Sequence, residues 1–358
     1  MNRSQRHATL ATLIVFTLAS GDFFRYLLSW YGWGAIVASL LVWAIVELRS
    51  LRFSIRRLPW SLTLFLGFAL ATAVWSLHPP TTLLGVFLQL ASAVGGIFLA
   101  LIRFDTFRRA LLWGTQLVVL ASFVFEAFVS LVLRRPIYPL WVHYDSSDHP
   151  AAFYWSRDLL LDGGRIQGIT GNSNLLAMTA LLALIVAVAS TRRIRSRALA
   201  AVTIIAPIVA LALTRSATVL VATIAVACVA LFIALWRRMP LRHFQITTAV
   251  SSLIALALLS VAVLAREQLL AFIGKDSDFT GRFGIWESVI GQAMESPVIG
   301  NGFSGTGRRG SHRSITSRST VASFISWRTT FGSMCSCNSV RSECCSGSAC
   351  SSARSSRP

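Results

Sequence analysis

An all-α, polytopic transmembrane fold is what the 358 residues predict, and three observations carry that reading. Hydrophobic residues make up 54% of the chain and charged residues only 13%, with a mean hydropathy of +0.65, whereas ordinary soluble domains carry about 25% charged residues. Apolar runs long enough to cross about 30 Å of hydrocarbon at 1.5 Å per residue recur along the chain. The cations, which give a formal net charge of +19, are nearly all arginines set in short segments between those runs. In a soluble protein that charge would point to nucleic acid; here topology explains it, and no nucleic-acid partner is expected.

Taken in order, the runs give about 9 spans, near 8–28, 32–48, 60–77, 82–102, 110–133, 173–190, 198–214, 216–236 and 244–264. The first is not read as a cleavable signal peptide, because no small-residue cleavage site is followed by a soluble domain. Orientation follows from the arginines. With the N-terminus inside, the inner segments hold sixteen: Arg3, Arg6, Arg49, Arg52, Arg56, Arg57, Arg103, Arg108, Arg109, Arg192, Arg193, Arg195, Arg197, Arg237, Arg238 and Arg242. The outer segments hold nine cations up to residue 300, mostly in two long loops that the positive-inside rule hardly governs. Two extracytoplasmic loops result, 134–172 and 265–305, in a multi-pass protein of the cytoplasmic membrane. Lys275 is the only lysine against 32 arginines, a bias that suggests a GC-rich bacterial genome.

Residues 1–305 thus form a polytopic membrane domain, and 306–358 a separate tail rich in Ser, Arg and Cys. Cys335, Cys337, Cys344, Cys345 and Cys350 crowd into the last 24 residues, but without the C-x2-C pairs and histidines of a zinc site. The tail has almost no apolar periodicity and reads as disordered.

The outer loops carry Tyr, Trp, Asp, His and Gly, and ordered loops of such length usually serve function. The first ends "GGRIQGITGNSNLLAMTALL", which sets Arg165 just before a span whose first turn holds Asn172, Ser173 and Asn174. Free N–H groups at a helix start, with a planar fork of donors beside them, suit a phosphate or diphosphate. The structural alternative is that the asparagines cap the helix and Arg165 is solvated. In "LALTRSATVLV", Arg215 sits between two apolar spans with almost no loop, as a functional cation or a snorkelling anchor.

The second outer loop contains "GKDSDFTGRFGIWESVIGQAMESPVIGNGF". Its middle reads as an amphipathic surface helix with Trp286 at the interface, opened by Thr280 or Gly281 and ended by Pro297, Gly300 and Gly302. Arg282 falls in its first turn, an unfavourable place for a cation unless an anion binds there or lipid headgroups face it. Glu126 reads as a structural partner near the outer end of its span. His143, Asp145, Asp148 and His149 lack helical i, i+4 spacing and read as a solvated loop, so no metal site is expected.

Three arginines on one side of a polytopic protein, each at a helix boundary, make an anion site. Through "RIQGITGNSNLLA", "LTRSATVLV" and "TGRFGIWESVIGQAMESPVIGNGF", the chain resembles the O-antigen ligase and O-antigen polymerase family of bacterial envelope enzymes over residues 60 to 305. The resemblance implies glycan transfer from a polyprenyl-diphosphate-linked donor to an acceptor saccharide or glycolipid at the outer face of the membrane. Arg165, Arg215 and Arg282 would then gather around the donor diphosphate, with Asn172, Asn174 and Trp286 as substrate-binding residues, and no cofactor would be needed. The rival reading from another class is a transporter or flippase for lipid-linked sugars, whose discontinuous helices and inverted repeats the sequence does not display.

The family also places a histidine, in a His-Asn pair opening the next span, to accept the proton of the attacking hydroxyl. That pair is missing, and His312 in "GSHRSITS" is followed by no apolar span. A frameshift accounts for both the loss and the tail. Ser342 to Cys350 can be written TCG GAG TGC TGC TCG GGA TCG GCC TGC, which read two bases later gives Gly-Val-Leu-Leu-Gly-Ile-Gly-Leu, a transmembrane sequence. In the same frame, Trp327 to Thr330 can give Ala-His-Asn-Val. The chain as written is therefore expected to be impaired as an enzyme.

Overall fold

The computed structural model describes residues 2–51, 54, 58–76, 79–142, 153–194, 196–236, 253, 282–294, 296–298, 300 and 302–303. The described residues fall in one compact unit, Met1–Thr306. Their regular secondary structure is helical, apart from one isolated antiparallel bridge between Ile137 and Ser156. The helices are α1 (Arg3–Ala19), α2 (Gly21–Ser50), α3 (Trp60–Ala71), α4 (Pro79–Leu101), α5 (Phe104–Phe128), α6 (Ser173–Ser190), α7 (Arg197–Thr214), α8 (Ala217–Trp236) and α9 (Arg282–Met294). Six among the described residues are long and apolar enough to cross a membrane: Gly21–Ser50, Pro79–Leu101, Phe104–Leu133, Ser173–Ser190, Arg197–Thr214 and Ala217–Ala234. The protein is thus a polytopic all-α membrane protein; the expected span at 244–264 lies outside the described residues.

Two boundaries differ from the hydropathy reading. The chain breaks at Ser20, inside the span expected at 8–28, whereas the sharp bend of α2 at Ser29 (φ 68°) falls at the expected boundary between 8–28 and 32–48. The bend removes Ser29 from the helical ladder and frees carbonyls about one turn before it. The first outer loop uses them: Leu140 N donates to Tyr26 O at 3.0 Å, and Trp141 Nε1 donates to Arg25 O at 2.7 Å. The expected span at 60–77 is realised as a 12-residue helix closed by a tight turn, Thr72–Val74.

Because α4 and α5, α6 and α7, and α7 and α8 are joined by tight turns, successive connections alternate between two poles. At the pole carrying the N-terminus, Asn2 and Gln5 form a reciprocal capping box on α1. There Glu47 pairs with Arg6 and His7, Arg3 donates to Ser50 O, and Asp105 pairs with Arg193 and Arg108. Arg108 also donates to Ser190 Oγ at 2.8 Å, tying α5 to α6.

Between the poles, α1 packs lengthwise on α5, and the pair α6–α7 packs on α5. Leu10, Ala11 and Ile14 of α1 meet Ala44 and Leu48 of α2, Phe98 and Ile102 near the end of α4, and Ala110 of α5. Alanines dominate the α6–α7 contact: Ala180, Ala183 and Ala210 bury against Val119. Small residues let backbones approach closely, which is how membrane helices gain packing without a hydrophobic driving force between them.

Candidate functional site: a cationic cluster at the loop pole

The site is built on Glu126, which is almost fully buried near the end of α5. Its Oε1 accepts from Gln167 N at 2.9 Å and Gly168 N at 2.6 Å, and its Oε2 accepts from Ser156 Oγ at 2.8 Å. One carboxylate thereby clamps two separate strips of the first outer loop to the bundle, as expected of a structural acid. Trp155, also buried, donates from Nε1 to Ile169 O at 3.1 Å and packs against Phe23, Tyr26 and Phe125.

The glycines of "QGITGN" have steric reasons. Gly168 (φ 59°) passes so close to α5 that a Cβ would lie 2.5 Å from the Ser122 side chain. At Gly171 (φ 61°) a Cβ would lie 2.3 Å from the Tyr26 ring. Only glycine combines a left-handed backbone with that approach. The chain then enters α6, whose N-cap is Asn172: its side chain accepts from Asn174 N at 2.9 Å and Leu175 N at 3.4 Å.

Asn174 faces inward to the cluster. Its Oδ1 accepts from Arg165 Nη2 at 3.0 Å and from Ser216 Oγ at 2.8 Å, while Arg165 Nε donates to Thr214 O at 3.1 Å. The guanidinium is therefore held from two sides, by the start of α6 and the end of α7, with donors to spare. Burial holds the Arg165 pKa below its usual value, and the charge of Arg157 lowers it further. Arg215 caps α7 in a left-handed conformation (φ 44°) and is exposed. Its Nη2 lies 3.8 Å from where a Cβ on Gly163 would sit, so it overlies the Gly163–Arg165 turn.

Arg157 joins them. Its Nη2 donates to Arg165 O at 3.5 Å, and its Nε is buried with no acceptor among the described residues. None of Arg157, Arg165 and Arg215 forms an ion pair with a carboxylate among the described residues. Sequence reading found Arg165, Arg215 and Asn174; it missed Arg157, for which no local signal exists, because its placement depends on the Glu126 clamp and the buried Trp155.

Arg282 begins α9, in the first turn as expected, and its guanidinium lies outside the described residues. Trp286 is exposed on α9. Beyond α9 the chain turns through Gly300 and Gly302 (φ 70° and 95°) and docks on the end of α3: Phe303 N donates to Thr72 Oγ1 at 2.9 Å, and its ring meets Phe65 edge-on. The His143–His149 cluster lies outside the described residues.

A family model described as O-antigen ligase matches residues 202–325. The matched stretch holds most of α7, all of α8 and α9, and both Arg215 and Arg282; Arg165 precedes it. No curated relative and no solved structure matches the chain. Over that stretch, about a third of the chain, the protein is similar to O-antigen ligases, and the helices long and apolar enough to cross a membrane are in keeping with that similarity.

Proposed function

We propose that the loop pole binds the diphosphate of a polyprenyl-linked glycan and that the intact parent protein transfers that glycan to an acceptor sugar at the outer face of the cytoplasmic membrane. The observation that carries this reading is the fixed Arg165 guanidinium, held by Thr214 O and Asn174 Oδ1 with Arg157 close by and Arg215 over the neighbouring Gly163, and with no carboxylate among the described residues paired to any of the three. A cationic pocket left without a protein anion suits an anionic ligand. The family match, which includes Arg215 and Arg282, supports a glycan ligase or polymerase role.

In the reaction, an acceptor hydroxyl attacks the anomeric carbon of the donor sugar, and the bond from that carbon to the diphosphate oxygen breaks as the new glycosidic bond forms. The electron pair leaves on the lipid diphosphate, where preorganised guanidiniums stabilise the added charge. The hydroxyl proton needs a base. In this chain the family's His-Asn pair is absent, and the family match ends at residue 325, just before Trp327 to Thr330, whose codons can be chosen to read Ala-His-Asn-Val in the alternative frame. The chain as written is accordingly an impaired enzyme, since a general base contributes about 10²–10⁴-fold.

The test has two steps. The coding sequence from Ile299 onward is read first; the alternative frame should be open and should encode the histidine and a final span. Glycan transfer by the frame-restored protein is then compared with that of Arg282→Lys and Arg215→Ala at equal membrane levels. Both variants should lose most activity. Stops throughout the alternative frame, or full transfer by the chain as written, would overturn the reading.

A further inference from the structure

We propose that Arg157 is a further ligand of the bound anion, one that selects a diphosphate over a monophosphate; this rests on the reading of the site just given. Three observations lead there. Arg157 follows directly on Trp155 and Ser156, both buried and hydrogen-bonded, so its backbone is anchored to the bundle. It lies against Arg165, close enough for Nη2 to reach the Arg165 carbonyl and for its charge to disfavour the charged form of Arg165. Its Nε is buried without an acceptor, and among the described residues no carboxylate pairs with it.

For folding alone, this placement is unfavourable twice over. A half-buried cation with an unsatisfied donor costs desolvation, and a second cation beside it adds repulsion. Arg108, whose Nε is likewise buried without an acceptor among the described residues, offsets that cost by pairing with Asp105, as Arg6, Arg25 and Arg193 also pair with carboxylates. An anion bridging Arg157 and Arg165 would satisfy both at once. Two guanidiniums, Arg165 and Arg215, suffice for one phosphate. A further guanidinium, at the Arg165 carbonyl, has a role when a second phosphate extends the charge.

The probe is geranylgeranyl diphosphate, with geranylgeranyl monophosphate as comparison, titrated against the purified full chain in nanodiscs. The native chain should prefer the diphosphate. Arg157→Gln should weaken diphosphate binding by about tenfold or more, the scale of one charge-assisted hydrogen bond. Monophosphate binding should stay nearly constant, and the thermal unfolding midpoint should not fall. Arg165→Gln should weaken both ligands. If Arg165→Gln weakens binding and Arg157→Gln leaves the diphosphate preference intact, the role of Arg157 is overturned while the site stands. Equal weakening of both ligands by Arg157→Gln together with a lower unfolding midpoint would make Arg157 structural and also overturn it. If the native chain binds neither ligand, or Arg165→Gln is without effect, the diphosphate reading of the whole pole fails.

Discussion

The two poles of the bundle both carry arginines but use them oppositely. At the N-terminal pole the acids go to the cations: Glu47 holds Arg6 and His7, and Asp105 holds Arg193 and Arg108. At the loop pole the buried acid, Glu126, is consumed by two backbone N–H groups and a serine hydroxyl, and Arg157, Arg165 and Arg215 are left without a carboxylate among the described residues. Arg25 is the exception there, paired with Asp22 at 3.0 Å and stacked on Tyr26 and Trp30, where it braces the bend in α2. Counting arginines therefore reports topology, and asking what each one pairs with reports function.

The comparison breaks most visibly if the poles are on the wrong sides. With Cys228 and the tail cysteines replaced, Asp162→Cys in the first outer loop should label fully with an impermeant thiol reagent in intact cells, and Arg197→Cys at the start of α7 should not label. The reverse pattern would invert the assignment. Next in size is Glu126→Ala, which strands three donors in a buried place. Each stranded buried donor costs about 1–3 kcal/mol, and thermal unfolding in detergent should show a large drop together with loss of ligand binding at the Arg165 cluster.

Smaller effects sharpen the contrast. Gly168→Ala must move either the loop or Ser122, and overpacking plus left-handed strain should cost about 1–3 kcal/mol. Melting of the variant against the native chain checks this. Smallest of all is Arg193→Ala at the N-terminal pole, where the pair with Asp105 is exposed on both sides. Exposed ion pairs contribute little, so unfolding and ligand binding should both stay near native.

Most of the helices were legible because crossing a bilayer demands long uninterrupted apolar runs, and α4 to α8 follow those runs within a few residues. The break at Ser20 was not, and although a boundary between 28 and 32 was, hydropathy does not register that the carbonyls freed by the bend at Ser29 are satisfied by Leu140 and Trp141, more than a hundred residues away. The same divide runs through the site. Arg165, Asn172 and Asn174 sit in a local helix-start pattern, and Arg215 in a turn between spans, so sequence reveals them. The structure then separates the two asparagines: Asn172 caps α6, and Asn174 orients Arg165. Arg157 is placed by a clamp assembled from α5 and two loop strips, and nothing in its own neighbourhood announces that.

The central claim is that the loop-pole arginines with no carboxylate partner among the described residues act on the donor, whereas carboxylate-paired arginines at the other pole, such as Arg108, do not. The direct measurement is glycan transfer by the frame-restored protein carrying Arg165→Lys or Arg108→Lys, at matched membrane levels. Lysine keeps the charge but cannot reach Thr214 O and Asn174 Oδ1 together, so Arg165→Lys should lower transfer about 10- to 100-fold. Arg108→Lys should transfer glycan at close to the native rate. Equal losses at both poles, or native transfer by Arg165→Lys, would contradict the account.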